Sequence, residues 1–169
     1  MSDPRAADGG AHETVLELPS ERETVVRRTF DAPAAVVFDA WTIPDQVRRW
    51  YGLAEFETTV CDIDLRVGGS WRWVQASPDG FEVAFSGVYR DIDRPGRLAF
   101  SEVFEAMPGT DFEVEMTFDD IDGHTLLTTR MIYQTREHRD GHLQSGMEEG
   151  TTVGYLRLDQ FLVAVRLEG

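Results

Sequence analysis

Apolar and polar residues alternate along most of the chain between residues 56 and 134, and short turn signals interrupt the alternation. Trp71 and Trp73 share one face of a strand pattern, and Phe81, Val83 and Phe85 share one face of the next. The same holds for Leu98, Phe100 and Phe104, for Phe112, Val114, Met116 and Phe118, and for Leu127, Met131 and Tyr133. Opposite faces carry Arg72, Glu113, Glu115 and Thr117, which predicts an antiparallel sheet with one solvated side. SPDG (77–80), DRPG (93–96), MPGT (107–110) and DIDGH (120–124) each combine residues that tight turns require.

Before this meander, ETVVRRTF (23–30) reads as a strand. DAP at 31–33 then opens a short helix carrying Val36, Val37, Phe38 and Trp41, with Pro33 in its first turn. A second short helix runs from about Pro44 to Trp50-Tyr51, with Gly52 as its stop. Residues 1–20 lack a sustained period and read as a flexible tail, although TVLEL (14–18) alternates weakly enough to suggest an optional edge strand.

After Tyr133 the period becomes helical. EHRDGHLQS predicts a short helix, and Ser145-Gly146-Met147-Glu148 reads as a capping box that starts a longer one. On that helix Met147, Thr151, Gly154 or Tyr155, Leu158, Leu162 and Val165 form one stripe. The order of elements predicts an α+β fold: a curved antiparallel sheet of about seven strands around a long C-terminal helix, with two short helices after the first strand. Such a sheet encloses more concave volume than one helix stripe fills, so a cavity is expected between them.

The segments FDAPAAVVFDAWTIPDQVRRWYG (30–52), DIDLRVGGSWRW (62–73), SPDGFEVAFSGVYRDIDRPGRLAFS (77–101) and SGMEEGTTVGYLRLDQFL (145–162) resemble the family named for the activator of the heat-shock-protein-90 ATPase. That family is part of the START-like, or SRPBCC, superfamily, whose helix-grip fold is shared with the birch pollen allergen. The resemblance implies a START-like ligand-binding domain over 21–169. Superfamily members bind lipids, hormones and polyketides, act as cyclases, serve as co-chaperone domains or confer antibiotic self-resistance. The function implied first is binding of a small, largely hydrophobic molecule. A co-chaperone-like interaction module, a polyketide cyclase-type enzyme and a self-resistance protein are the alternatives. Many relatives place a bulky aromatic after GMEEG, whereas this chain has Thr151, which implies extra room there.

Charge narrows the partners. Sixteen basic residues, all Arg, against 31 acidic ones leave a net charge of −15, which disfavours nucleic acid and anionic membrane surfaces. Cys61 is the single cysteine, so no intrachain disulfide is possible and a reducing, cytoplasmic location is expected. The longest aliphatic run, FLVAV (161–165), is too short to span a membrane. A homodimer or a protein partner remains compatible with this composition.

Candidate chemistry is sparse. His138 and His142 lie four apart but lack a third ligand, and they read as solvated histidines. DIDG (120–123) misses the first and last positions of a calcium loop, and the glycines of VGGSW (67–71) read as a bend at the sheet rim. No metal, cofactor or catalytic residue is expected, and binding is favoured over catalysis. Glu102 stands out because it shares the apolar face of Leu98, Phe100 and Phe104: there desolvation raises a carboxyl pKa and lets it orient a ligand or act as a base, unless a local bulge returns it to water. The expected ligand wall is Trp50, Trp73, Phe85, Glu102, Phe104, Met116, Met131, Tyr133, Met147, Thr151 and Tyr155. Trp71 and Tyr51 are weaker candidates for the same wall.

Overall fold

The computed structural model describes residues 12–52 and 55–168. Its strands are β1 (Val15–Ser20), β2 (Glu23–Phe30), β3 (Glu57–Ile63), β4 (Ser70–Ala76), β5 (Glu82–Asp93), β6 (Arg97–Phe104), β7 (Phe112–Ile121) and β8 (His124–Ile132). Its helices are α1 (Ala34–Thr42), α2 (Pro44–Trp50), α3 (Arg136–Gln144) and α4 (Met147–Glu168). All neighbouring strands pair antiparallel in the order β1-β2-β8-β7-β6-β5-β4-β3. This is the α+β helix-grip architecture, with α4 against the concave face of the sheet.

Strand parity places the core. Trp71, Trp73, Tyr89, Leu98, Phe100, Phe112, Val114, Met116, Phe118 and Leu127 are buried on the concave face, against Tyr155, Leu158, Phe161 and Leu162 of α4. The convex face instead carries ion pairs such as Arg72–Glu105 at 2.9 Å and Arg90–Glu113 at 3.2 Å. Exposed pairs of this kind contribute little stability each. One ion pair differs: the Arg28 guanidinium of β2 is buried and held by Asp159 of α4, tying an early strand to the last helix.

The sheet has eight strands because the optional edge strand of the tail, residues 15–20, pairs with β2, and three sequence expectations need correction. Nearly every side chain of β1 is exposed, so backbone pairing holds it and the side-chain pattern scarcely records it. The first eleven residues of that tail lie outside the described residues. Phe81 precedes β5 and is 62% exposed, off the buried face. Ser145 closes α3 instead of opening α4: its hydroxyl donates to the His142 carbonyl at 2.6 Å, and Gly150 N–H bonds back to the Gly146 carbonyl. His142 is not solvated, since its ring packs on Phe112 and Tyr133.

Among the described residues no helix is long and apolar enough to cross a membrane, and no cluster of three or more His, Cys, Asp or Glu could hold a metal.

Candidate functional site

Helix α1 carries Trp41 toward the sheet, and α2 ends at Trp50, so Tyr51 is already extended (φ −70°, ψ 144°). Gly52 follows at φ +106°, and a Cβ there would lie 1.8 Å from Oε1 of Gln75. Only glycine fits that turn. Arg157 of α4 donates to the carbonyl oxygens of Tyr51 and Gly52, at 3.4 and 2.8 Å, which fixes the chain at this lip.

Behind the lip is a cavity of about 40 Å³ lined by Trp41, Tyr51, Trp71, Trp73, Tyr89, Leu98, Phe100 and Glu102. Its rings interlock. Tyr51 meets Trp73 edge-on with centroids 4.5 Å apart, Trp73 meets Trp71 at 5.4 Å, and Trp71 meets Phe100 at 5.5 Å. Trp41 stacks on Trp73 at 6.4 Å. The Trp71 indole donates to the Ser101 carbonyl at 3.1 Å, passing over Gly87 of the adjacent strand. The indole nitrogens of Trp41 and Trp73 are buried without a partner among the described residues.

Glu102 is the only acid in this lining. It forms no hydrogen bond or ion pair among the described residues, and burial pushes its carboxyl up to about 7. Glu105, three residues on, has the opposite environment: Arg72 binds it on the convex side and lowers its pKa. Burial also raises the Tyr51 phenol, and the nearby charge of Glu102 adds to that. Tyr133 is pushed up to about 12 for the same principal reason, with Glu102 again contributing. The charge of Glu102 thus acts both on the cavity phenol and on Tyr133, which belongs to a second cluster with His142 and Thr24.

Of the expected wall, Trp73 and Glu102 line the cavity. Trp50 does not; it is 1% exposed and its indole is committed to the Ala40 carbonyl at 2.8 Å. Phe85 and Phe104 share the concave face but stack on each other, 5.4 Å apart, beyond the cavity. Met116 is core, and Met131 and Tyr133 belong to the second cluster, where the phenol contacts the Met131 sulfur at 3.4 Å. Met147, Thr151 and Tyr155 lie on α4 outside the lining, with Tyr155 edge-on to Phe30 at 5.2 Å. Trp41, Tyr89, Leu98 and Phe100 were not singled out as wall residues. Tyr89 extends the parity of Phe85 and Gly87, and Leu98 and Phe100 share the parity of Glu102. Those are the signals that could have found them.

Cys61 is a buried thiol pushed up to about 11 by desolvation, which makes it a poor nucleophile. The VGGSW bend is tied to β5 by Gly68 N–H to the Tyr89 carbonyl and Tyr89 N–H to the Gly69 carbonyl, both 2.9 Å. DIDGH makes the β7–β8 hairpin.

Comparison with curated proteins gives no match. Solved structures do match. A protein from Rhodobacter sphaeroides is 27% identical with a TM-score of 0.85, over 90% of this chain and 99% of that one. One from Mycobacterium smegmatis is 25% identical with a TM-score of 0.77, over 89% and 95%. One from Nitrosomonas europaea, at 20% identity and a TM-score of 0.79 over 89% and 99%, shares the fold. Residues 31–163 match the activator of Hsp90 ATPase homolog 1-like proteins, and since that stretch is most of the 169 residues, the chain belongs to this family.

Proposed function

We propose that the protein binds a small, largely hydrophobic molecule in the cavity between the sheet and its covering helices. The supporting observation is an aromatic chamber lined by one carboxyl, Glu102, and by two indoles, Trp41 and Trp73, whose buried nitrogens have no partner among the described residues. Buried polar groups in folded proteins nearly always have partners, and those left without one mark a place where another molecule can supply it. At about 40 Å³ the cavity is small, so it takes one group of a ligand while the remainder lies toward the Tyr51 lip or displaces the rings. The buried Cys61 thiol suits a reducing compartment, and we assign the protein to the cytoplasm.

Native mass spectrometry of the protein as purified tests this reading. The expected result is a bound small molecule that is lost on Trp73→Ala. A protein that carries nothing, and whose tryptophan emission ignores a panel of small amphiphiles, overturns it. One observation favours a co-chaperone-like module instead: Leu156, Val163 and Leu167 are exposed on the outer side of α4 at 52, 52 and 82%. Retention of a protein partner that is lost on Val163→Glu promotes that alternative.

A further inference from the structure

Resting on the binding role proposed above, we infer that the cavity selects an organic cation, an alkylated ammonium group seated against the rings with Glu102 as its counterion. Six of the eight lining residues are aromatic. Ring faces carry negative charge density that attracts a cation, and more strongly where water is excluded. A neutral apolar group gains burial against the same rings but leaves the carboxylate unpaired. A ligand anion adds repulsion. A cation answers both the rings and the acid, and a hydroxyl oxygen on the same molecule, as in choline, can accept from the open Trp41 or Trp73 indole.

Among the described residues no side chain plays that part. Arg72, the basic residue on the strand beside Trp71 and Trp73, points to the convex face and is bound by Glu105. Arg157, at the lip, donates to backbone carbonyls there. A cavity this small suits the compact head of a methylated ammonium better than a fatty chain or a steroid. The net charge of −15 also raises the local concentration of cations around the whole molecule.

The groups around Glu102 leave its charge as the variable one near neutral pH. Tyr51 from the end of α2, Tyr89 from β5 and Tyr133 after β8 are all phenols raised by burial, and they stay neutral. His142, behind Tyr133, is held down to about 4 by burial and is neutral as well. Arg139 of α3 acts on Tyr133 and is otherwise occupied by Asp140 and the Ser20 carbonyl. Cation affinity should therefore rise with pH as Glu102 ionises through about 7.

Tryptophan fluorescence titration with choline and with its uncharged carbon isostere, 3,3-dimethylbutan-1-ol, decides the matter. At about pH 8 choline should bind at least about tenfold more tightly than the isostere, a difference of about 1.4 kcal/mol. Glu102→Gln should weaken choline alone and bring the two within about twofold. The wild type should lose several-fold in choline affinity between about pH 8 and pH 6, and the variant should not. Equal binding of the two compounds by the wild type overturns cation selection while the cavity reading stands. Failure of both compounds to bind overturns cation selection too; the native mass spectrum then decides separately whether the cavity reading also falls. A choline preference that survives in Glu102→Gln overturns the counterion role.

Discussion

The Tyr133 hydroxyl lies 2.6 Å from Nδ1 of His142, with both rings packed against Phe112. A neutral imidazole fits this contact, because the phenol can donate to its bare nitrogen. The charge of Glu102 also bears on Tyr133, and burial favours that carboxyl in its protonated form. The two groups make the fold respond to pH in opposite directions.

His142 is held down to about 4 by desolvation. In the unfolded chain a histidine protonates near its ordinary value of about 6.5, so acid draws protons to the unfolded state first. Its contribution to stability is complete above about pH 6.5 and is lost as pH falls toward about 4. Melting curves of His142→Gln should consequently show a flatter pH dependence in that window than the wild type. Parallel curves would place the proton uptake on another group.

Glu102 works the other way. Its native pKa of about 7 lies above the usual carboxyl value, so the native state keeps its proton while the unfolded state gives it up. Stability from this group is present below about pH 4.5 and is lost as pH rises through about 7. Glu102→Gln should raise the melting temperature at pH 8 by about 3 °C or more and change it little at pH 4. Calorimetry at the two values checks the sign as well as the size.

The pair between Arg28 and Asp159 anchors the helix to the sheet. Arg28 is 2% exposed, donates to Asp159 and to the Thr29 carbonyl, and stacks over the Phe30 ring at 4.8 Å. Asp159→Ala leaves that guanidinium buried and uncompensated, which should cost about 3 kcal/mol in urea unfolding. Arg28→Met combined with Asp159→Leu should recover much of the loss, since the buried charge is then gone.

Gly87 gives the cavity wall its position. A Cβ on it would lie 1.7 Å from the Ser101 carbonyl oxygen and 2.7 Å from the Trp71 indole nitrogen. Gly87→Ala should destabilise the fold by about 1–3 kcal/mol and displace Trp71, seen as a shift in tryptophan emission. A variant with wild-type stability and emission would show that the strands separate there without disturbing the wall.

Much of the sheet was legible because burial on one side imposes period two. The inward parity of β7, from Phe112 to Phe118, and the placement of Glu102 beside Phe100 both follow from counting alternate residues. The stripe on α4 was legible for the analogous helical reason. The position of the cavity was not. Whether Trp50 or Tyr51 faces it depends on where α2 stops, and the turn at Gly52 decides that against the Gln75 side chain. Ser145 misled because it lies between two helices and its hydroxyl can serve either. Parity could not separate Phe85 and Phe104 from Trp73, since all three share a face and lie in one row across β4, β5 and β6.

The ring contacts running from Tyr51 through Trp73 and Trp71 to Phe100 join the lip to the innermost wall of the chamber. In an interior packed this closely one ring has little slack to move without its neighbour. The size of the chamber is therefore a shared property of the row, and shortening any one of these side chains should enlarge it for every occupant.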